Sequence, residues 1–255
     1  MHRTAIIPVT ATLLGTALFA GALWHSTPAA VSPPPIVLPA PDPGETPEQI
    51  AERKRLFIAL LLPIVQEENR QLLDDRKRIN RIEGELASED EISRDDFEWL
   101  KQIAEDYDLD PAARRNPEFF DSLRRRIDII PASLLIAQAA LESGWGRSNV
   151  TRESHNFFGH YCFGKDCGVP APGAGDLRVF ASPRDSVHAY MHNLNSHRAY
   201  AAMRKQRGAL RAAGKPVTGS ALAPQLAAYS ERGAAYAADV LTLIRDNRLD
   251  LLDNH

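Results

Sequence analysis

The stretch from residue 131 to residue 146, PASLLIAQAALESGWG, constrains this chain more than any other, because it ends a long apolar run with one carboxylate. Eight of the ten residues from Ala132 to Leu141 are apolar, and a helix that is apolar on all sides is a buried helix. Pro131 suits the first helical position and Gly144 suits the end of the helix. The pattern therefore predicts a central core helix that carries Glu142 in its last turn.

Glu142 follows Leu135 by seven residues and Ala139 by three, so it shares their face of this helix. A carboxyl group there is partly removed from water, and desolvation disfavours the charged form and raises the pKa. A raised pKa suits a general acid that works near neutral pH. The alternative from the pattern alone is a glutamate that points into solvent at a helix end, since glutamate is almost never fully buried unless it is paired.

Residues 1–30 have the features of a targeting segment. His2 and Arg3 precede an uncharged, mostly apolar run over residues 4–24, and small residues follow it. Such a segment is either a cleaved signal peptide or, because the run is long, a retained membrane anchor. Both alternatives predict export, to the periplasm or cell envelope, and the second adds anchoring in the inner membrane.

Two further features fit an exported chain. Residues 31–45 are rich in proline and predict an extended, semi-rigid linker. The two cysteines, Cys162 and Cys167, predict a disulfide that closes a small loop in an oxidising compartment. A metal site at these cysteines is the weaker alternative, because two ligands are too few.

Helical signals dominate the rest of the chain. Thr46, Pro47 and Gln49 predict the capped start of a first helix, and Pro63 predicts a kink or a break in it. Around the central helix, further helices are predicted over residues 66–85, 95–106, 119–126, 221–229 and 234–245, and from a capping serine at Ser182. Residues 149–179 are rich in glycine, proline and polar residues and predict loops with a small hairpin. The fold class is therefore mainly α, with one irregular insertion.

Charge and histidine spacing narrow the function further. The net charge of −3 gives no indication of nucleic-acid binding. His188 and His192 are four residues apart on a predicted helix, a spacing that two metal ligands can use. The HAYMH sequence lacks the glutamate of the metalloprotease motif, and no third ligand is evident. We interpret both histidines as a solvated or substrate-facing helix edge and predict neither a metal nor another cofactor.

Four spaced segments resemble bacterial glucosaminidase domains that cleave peptidoglycan, and among them the Bax-like proteins of Gram-negative bacteria. The segments are IPASLLIAQAALESGWGRSN, HNFFG, FASPRDSVHAYMHNLNSHRAY and YSERGAAYAADV. The earlier LFIALLLPIVQEENRQLL segment resembles the N-terminal helical extension of that group. The resemblance implies a lysozyme-like fold, mainly α with a small β or loop lobe across a cleft. Residues 46–92 would be the extension and residues 93–255 the catalytic domain.

By this resemblance, Glu142 is the general acid that protonates the glycosidic oxygen. Two candidates exist for the second catalytic group. One is Asp176, at a position where the family often has the longer glutamate, and the other is the N-acetyl group of the substrate itself. Asp166 is a poorer candidate because it lies inside the cysteine loop. Tyr229 matches a cleft-lining tyrosine that would position the N-acetyl group or a water. A tyrosine packed at a helix end is the alternative.

The resemblance also supplies a substrate-binding set, which comprises Trp145, Asn156, Phe158 and Tyr161. The rings of Trp145 and Phe158 would line the sugar site, although Trp145 is equally suited to the core beside Glu142. Asn156 would hold a loop by side-chain hydrogen bonds.

Together these observations predict an exported β-N-acetylglucosaminidase that acts on peptidoglycan glycan strands without a cofactor. The alternative from a different functional class is a non-catalytic glycan-binding or scaffold protein of the cell envelope. The sequence identifies no protein partner.

Overall fold

The computed structural model describes residues 37–40, 42–88, 91–162, 168–170 and 176–253. The predicted targeting segment at residues 1–30 lies outside the described residues. Within the described part of the chain, no helix is both long enough and apolar enough to cross a bilayer.

The first helix, α1 (Pro47–Ala87), is 41 residues long and begins where the sequence predicts. Thr46 Oγ1 accepts a hydrogen bond from Gln49 N at 3.3 Å, and Gln49 Oε1 accepts from Thr46 N at 2.8 Å. The helix continues through Pro63, so a break at this residue is wrong. Pro63 has no N–H to donate to the preceding turn of the helix, which leaves one carbonyl oxygen without its usual donor. Because Pro63 is exposed, water can bind that oxygen. The residues of α1 that are fully buried around this point are Phe57, Leu61 and Val65.

The remaining elements confirm a mainly α fold with a minor β part. The helices are α2 (Arg94–Asp106), α3 (Pro117–Arg126), α4 (Ala132–Ser143), α5 (Asn149–Ser154), α6 (Pro183–Ser196), α7 (Ala201–Ala212), α8 (Gly219–Leu222) and α9 (Ala234–Asp246). Short 3-10 helices cover Pro111–Arg115, Arg198–Tyr200, Ala223–Tyr229 and Leu249–Asp253. The predicted helix over residues 221–229 is therefore mostly 3-10.

The irregular insertion begins with helix α5, where loop was predicted, and it contains three short strands rather than a single hairpin. They are β1 (Tyr161–Cys162), β2 (Gly168–Pro170) and β3 (Asp176–Arg178). The strands form one antiparallel sheet in the order β1-β3-β2. Leu177 of the central strand pairs with Tyr161 on one side and Val169 on the other.

Helix α7 was not predicted because its buried face carries arginines instead of a hydrophobic stripe. Its buried residues are Met203, Arg204 and Arg207. Arg204 Nη1 donates to Leu194 O at 2.9 Å, and Arg207 Nη1 donates to Ile129 O at 2.8 Å. The guanidinium groups thus replace water as donors to buried carbonyl oxygens, which a hydrophobic pattern does not register.

Helix α4 lies at the centre of the core, as its sequence predicts. Every residue from Ala132 to Ala140 is buried. Pro131 is the residue before the helix rather than its first residue, and it provides no side-chain cap. Asp253 caps this end instead, because its Oδ1 accepts a hydrogen bond from Ser133 N at 2.9 Å. Its Oδ2 accepts another from Gly219 N, at the start of α8, at 2.9 Å.

Part of the predicted linker packs against the same core. Leu38 is partly buried against it. Arg53 of α1 donates to Pro39 O at 2.7 Å and to Ala40 O at 3.0 Å. Helix α1 itself packs against α3, α4 and α6. The domain boundary at residues 92 and 93 stays a prediction.

Candidate active site

The carboxyl end of α4 is a tight turn of three consecutive residues in left-handed backbone conformation. Gly144, Trp145 and Gly146 have φ values of 60°, 59° and 77°. Gly144 ends the helix, as predicted. A tryptophan in this conformation is uncommon and costs free energy, so its side chain must be held by packing.

The Trp145 ring is held by two residues of α1. It packs edge-on against Phe57, with 5.6 Å between the ring centroids. Lys54 Nζ lies 5.0 Å from the centroid of the indole ring and donates to Asn247 Oδ1 at 2.7 Å. Trp145 is intermediate in exposure, so it both packs against the core and offers surface beside Glu142.

Glu142 is the last residue but one of α4, and its side chain is exposed to solvent. Protein atoms nevertheless crowd the carboxyl group, and this desolvation raises its pKa, in the direction that the sequence predicts. A hydrogen bond with Tyr236 and the charge of Arg232 oppose the shift with smaller effects. The carboxyl group is therefore accessible from outside and keeps its proton to a higher pH than an ordinary glutamate does.

Two hydrogen bonds link buried polar side chains beside Glu142. Tyr190 Oη donates to Gln138 Oε1, and Gln138 Nε2 donates to Tyr236 Oη at 2.9 Å. The Tyr236 hydroxyl lowers the pKa of Glu142, against the larger effect of desolvation. Gln138 lies one turn before Glu142 on α4, whereas Tyr190 and Tyr236 lie on α6 and α9. The three helices therefore meet at the candidate site.

Aromatic rings pack around these hydrogen bonds. Tyr229 stacks on Tyr236 with 5.3 Å between centroids, and Phe158 stacks on Tyr190 with 4.0 Å between centroids. Tyr229 Oη donates to Phe158 O at 3.0 Å. Burial, with a smaller effect of the Glu142 charge, raises the pKa of Tyr190, Tyr229 and Tyr236, so all three phenols remain neutral.

The HNFFG loop approaches Glu142 through its last residue, Gly159. Its φ is 67°, and a Cβ atom at this position would lie 3.7 Å from Glu142 Oε2. Asn156 holds the loop, as predicted. Its Nδ2 donates to His160 O at 2.8 Å and to Arg178 O at 2.9 Å, and its Oδ1 accepts from His160 N at 3.0 Å.

The residues assigned to sugar binding differ in the surface that they offer. Phe158 is 2% exposed and Asn156 is 3% exposed, so both support the loop from inside. Tyr161 on β1 is 53% exposed. Contact of these residues or of Trp145 with a sugar stays a prediction.

Asp176 is the first residue of β3, where it lies opposite Cys162 of β1 and Pro170 of β2. Its side chain is exposed. The groups that act on the pKa of Glu142 are Tyr236 and Arg232, and neither is a carboxylate. The role of Asp176 as second catalytic group stays a prediction. Cys167 lies outside the described residues, so its disulfide with Cys162 stays a prediction too.

His188 and His192 line a cavity of about 640 Å³ between α1, α2 and α6, and Glu142 is not among the residues that line it. His188 Nδ1 is 2.9 Å from Glu68 Oε2, and this bond raises the pKa of His188. His192 Nε2 is 2.8 Å from Asp106 O. Among the described residues, no cluster of three or more His, Cys, Asp or Glu side chains could hold a metal ion.

Sequence reasoning did not name Gln138, Tyr190, Tyr236 or Gly159 as site residues. A signal was present for two of them. Gln138 is one of two polar residues in an otherwise apolar run and lies four residues before Glu142, on the same face. Tyr236 is the second tyrosine of the YSERGAAYAADV segment. Its contact with Glu142 is a tertiary one, which a sequence pattern alone does not reveal.

Comparison with known proteins assigns the family. Residues 118–249 match the glucosaminidase family, described as mannosyl-glycoprotein endo-beta-N-acetylglucosaminidase. The chain belongs to this glucosaminidase family. It is also 32% identical to the protein bax of Escherichia coli strain K12 over 199 residues, which cover 77% of this chain and 70% of that protein. No solved structure matches the chain. The predicted likeness to Bax-like glucosaminidase-domain proteins is confirmed.

Proposed function

We propose that this glucosaminidase-family chain is an exported glycoside hydrolase that cleaves N-acetylglucosamine linkages in peptidoglycan glycan strands, with Glu142 as its general acid. The carboxyl group of Glu142 is the observation that carries the proposal, because it is exposed to solvent and yet desolvated enough to raise its pKa. Cleavage of a glycosidic bond needs a proton on the leaving oxygen, and such a carboxyl group can supply it. The family supports a glycan as substrate.

In the proposed reaction, Glu142 transfers its proton to the glycosidic oxygen while the bond to the anomeric carbon breaks. Positive charge then develops on the sugar ring and must be met from the opposite face. The N-acetyl oxygen of the substrate or a water molecule activated by Asp176 would do so. Tyr229 donates its own proton to Phe158 O, so its Oη can accept the N–H of the acetamido group. The reaction needs no cofactor.

Export is part of the proposal because peptidoglycan lies outside the cytoplasm. The basic residues His2 and Arg3 and the apolar run that follows them support it. We propose a periplasmic or envelope location, with the N-terminal segment either removed or retained as an inner-membrane anchor.

The full chain should be incubated with purified peptidoglycan and the new reducing ends identified by mass spectrometry. We expect N-acetylglucosamine ends, and Glu142→Gln should reduce their rate of formation by about 10²–10⁴-fold, because an amide cannot donate the proton. Glu153→Gln is the matched control, since Glu153 is an exposed glutamate on the neighbouring helix α5.

Two other results would contradict the proposal. N-acetylmuramic acid or anhydro ends would reject the bond that we assign while keeping a glycan-cleaving enzyme. An absence of products from a folded protein that still binds peptidoglycan would reject hydrolysis and favour the glycan-binding or scaffold alternative.

A further inference from the structure

We propose that residues 37–46, which precede α1, form a strap that positions the turn carrying Trp145 for glycan binding. Leu38 and Glu45 are the positioning residues of the strap, and both act through the turn rather than on the sugar. This inference rests on the proposed function, in which Glu142 acts on a glycan, and on the predicted contact of Trp145 with that glycan.

Leu38 lies against the turn at Gly146. A Cβ atom at Gly146 would overlap Leu38 Cδ1 and would lie 3.3 Å from Phe57 Cδ2 of α1. Gly146 also has a φ of 77°, which glycine adopts without the strain of other residues. The last glycine of the ESGWG sequence is therefore needed twice, for its backbone conformation and because the strap and α1 occupy the space of a side chain.

Glu45 joins the strap to the residue that follows this turn. Its side chain is 6% exposed. One carboxylate oxygen, Oε1, accepts a hydrogen bond from Arg53 Nη2, and the other, Oε2, accepts from Arg147 Nη1 at 2.9 Å. Arg147 Nη2 also donates to Asp42 O in the strap at 3.3 Å. Hydrogen bonds between ionised partners are about twice as strong as neutral ones, so Glu45 is a firm connection between strap and turn.

Arg53 holds the backbone of the strap against α1. Its guanidinium donates to Pro39 O and Ala40 O, and the residue is 2% exposed. Burial lowers the pKa of Arg53, and the nearby charge of Arg147 lowers it further. Glu45 is the carboxylate that pairs with both arginines. Loss of its charge would leave two neighbouring cations without their shared partner and would weaken the hold on the strap.

The strap acts on Trp145 through the residues that follow it. Two residues of α1 contact the Trp145 ring, whereas Leu38 and Glu45 contact Gly146 and Arg147. Trp145 has a φ of 59°, so its backbone keeps this conformation only while its surroundings hold it. Once the strap is released, the turn can relax and the ring changes its position relative to the end of α4.

Glu45→Gln tests the strap with little change in side-chain shape. The amide has one acceptor oxygen and no charge, so it cannot serve both arginines as the carboxylate does. We expect KM for peptidoglycan to rise by about 3-fold to 10-fold with a smaller change in kcat, because a displaced aromatic ring loses ground-state contact with the glycan.

Arg147→Gln breaks the same connection from the side of the turn. Its side chain is 42% exposed, so this variant keeps the buried pair between Glu45 and Arg53. If Glu45 acts through Arg147, the double variant Glu45→Gln/Arg147→Gln should resemble either single variant in KM rather than show the product of the two effects.

The experiment labels the full chain with fluorotryptophan and records the fluorine resonance of Trp145, in parallel with the kinetics of peptidoglycan cleavage. The resonance is assigned by its absence in Trp145→Phe, and that of Trp99 on α2 is the internal reference. Glu52→Gln is the matched control, because Glu52 pairs with Arg55 on the exposed side of α1. A role in stability alone would lower the urea midpoint without moving the Trp145 resonance of the folded protein.

We expect Glu45→Gln and Arg147→Gln to shift the Trp145 resonance and raise KM, and Glu52→Gln to do neither. An unmoved Trp145 resonance in folded Glu45→Gln would overturn the inference. A shifted resonance with an unchanged KM would overturn it as well, since the strap would then act on the turn without affecting the glycan.

A wild type that cleaves nothing would reject the proposed function without deciding on the strap. In that case the dissociation constant for purified peptidoglycan replaces KM. A shifted Trp145 resonance together with weaker binding in Glu45→Gln would then support the strap, and unchanged binding would overturn it.

Discussion

Gly159 brings the backbone of the HNFFG loop close to Glu142 with no side chain of its own beside the carboxyl group. We expect Gly159→Ala to lower the free energy of unfolding by about 1–2 kcal/mol, because alanine is strained at a φ of 67°. The new methyl group would also lie 3.7 Å from Glu142 Oε2 and restrict access to it. Peptidoglycan cleavage should therefore fall by more than the loss of stability explains.

Gly214→Ala separates these two effects. Gly214 has a φ of 63° and no heavy atom within 4 Å of the position of a Cβ. An alanine at this position therefore has the same backbone strain but contacts no other group. Urea unfolding should show similar losses for the two variants, and only Gly159→Ala should impair cleavage. Equal activities of the two variants would show that Gly159 matters for conformation alone.

A buried amide of α1 binds the backbone that precedes α4. Asn69 of α1 donates to Ile130 O at 2.8 Å and accepts from Ile130 N at 3.0 Å, immediately before the central helix. Asn69→Ala would leave both backbone groups buried without partners, at about 1–3 kcal/mol each. We expect a loss of about 2–5 kcal/mol in the free energy of unfolding, measured in urea.

Asn80→Ala is the control for this substitution, because Asn80 is exposed on the same helix. It should change the free energy of unfolding by less than about 0.5 kcal/mol. If Asn69→Ala were as mild as Asn80→Ala, the contact with Ile130 would not contribute to the docking of α1.

Several elements could be predicted from residues that are close in sequence. The elements that were missed or wrongly predicted depend on contacts between residues that are far apart in sequence. The caps at Thr46 and Ser182 could be predicted because each involves residues within one helical turn. The break at Pro63 is wrong because core contacts on both sides keep α1 helical. Helix α7 was missed because Arg204 and Arg207 are buried against carbonyl oxygens that are distant in sequence.

The same distinction applies to the candidate site. Glu142 could be identified from the helix that carries it, and its desolvation followed from the apolar face beneath it. Tyr190 and Tyr236 lie far along the chain, and only the packing of α6 and α9 against α4 brings them to Gln138 and Glu142. Asp176 lies on the three-stranded sheet and not on α4, so the helix pattern that identified Glu142 could not place it relative to that carboxyl group.

At the scale of the whole molecule, Asp128 connects parts of the chain that are far apart in sequence. It is 2% exposed and forms ion pairs with Arg76 of α1 and with Arg207 and Arg211 of α7. Burial lowers the pKa of Arg207 to about 10, which leaves it charged at neutral pH and dependent on this carboxylate. We expect Asp128→Asn to lower the free energy of unfolding by about 3–5 kcal/mol, because buried cations lose their counter-charge.

The comparison substitution is Asp121→Asn, which removes an ion pair with Arg124 at an exposed aspartate. Exposed pairs contribute about 0–1 kcal/mol, so this variant should unfold close to the wild type in urea. A mild effect of Asp128→Asn would mean that Arg207 is satisfied by backbone carbonyl oxygens without the ion pairs.

The cap that Asp253 provides to α4 has a consequence for the order of events during biosynthesis. The amino end of α4 lies about halfway along the chain, but the carboxylate that binds Ser133 N comes 120 residues later. A chain still emerging from the ribosome has therefore made α4 before it has made the carboxylate that caps this helix. This hydrogen bond can form only once translation has passed residue 253, so the amino end of α4 is capped after all the described α-helices have been synthesised.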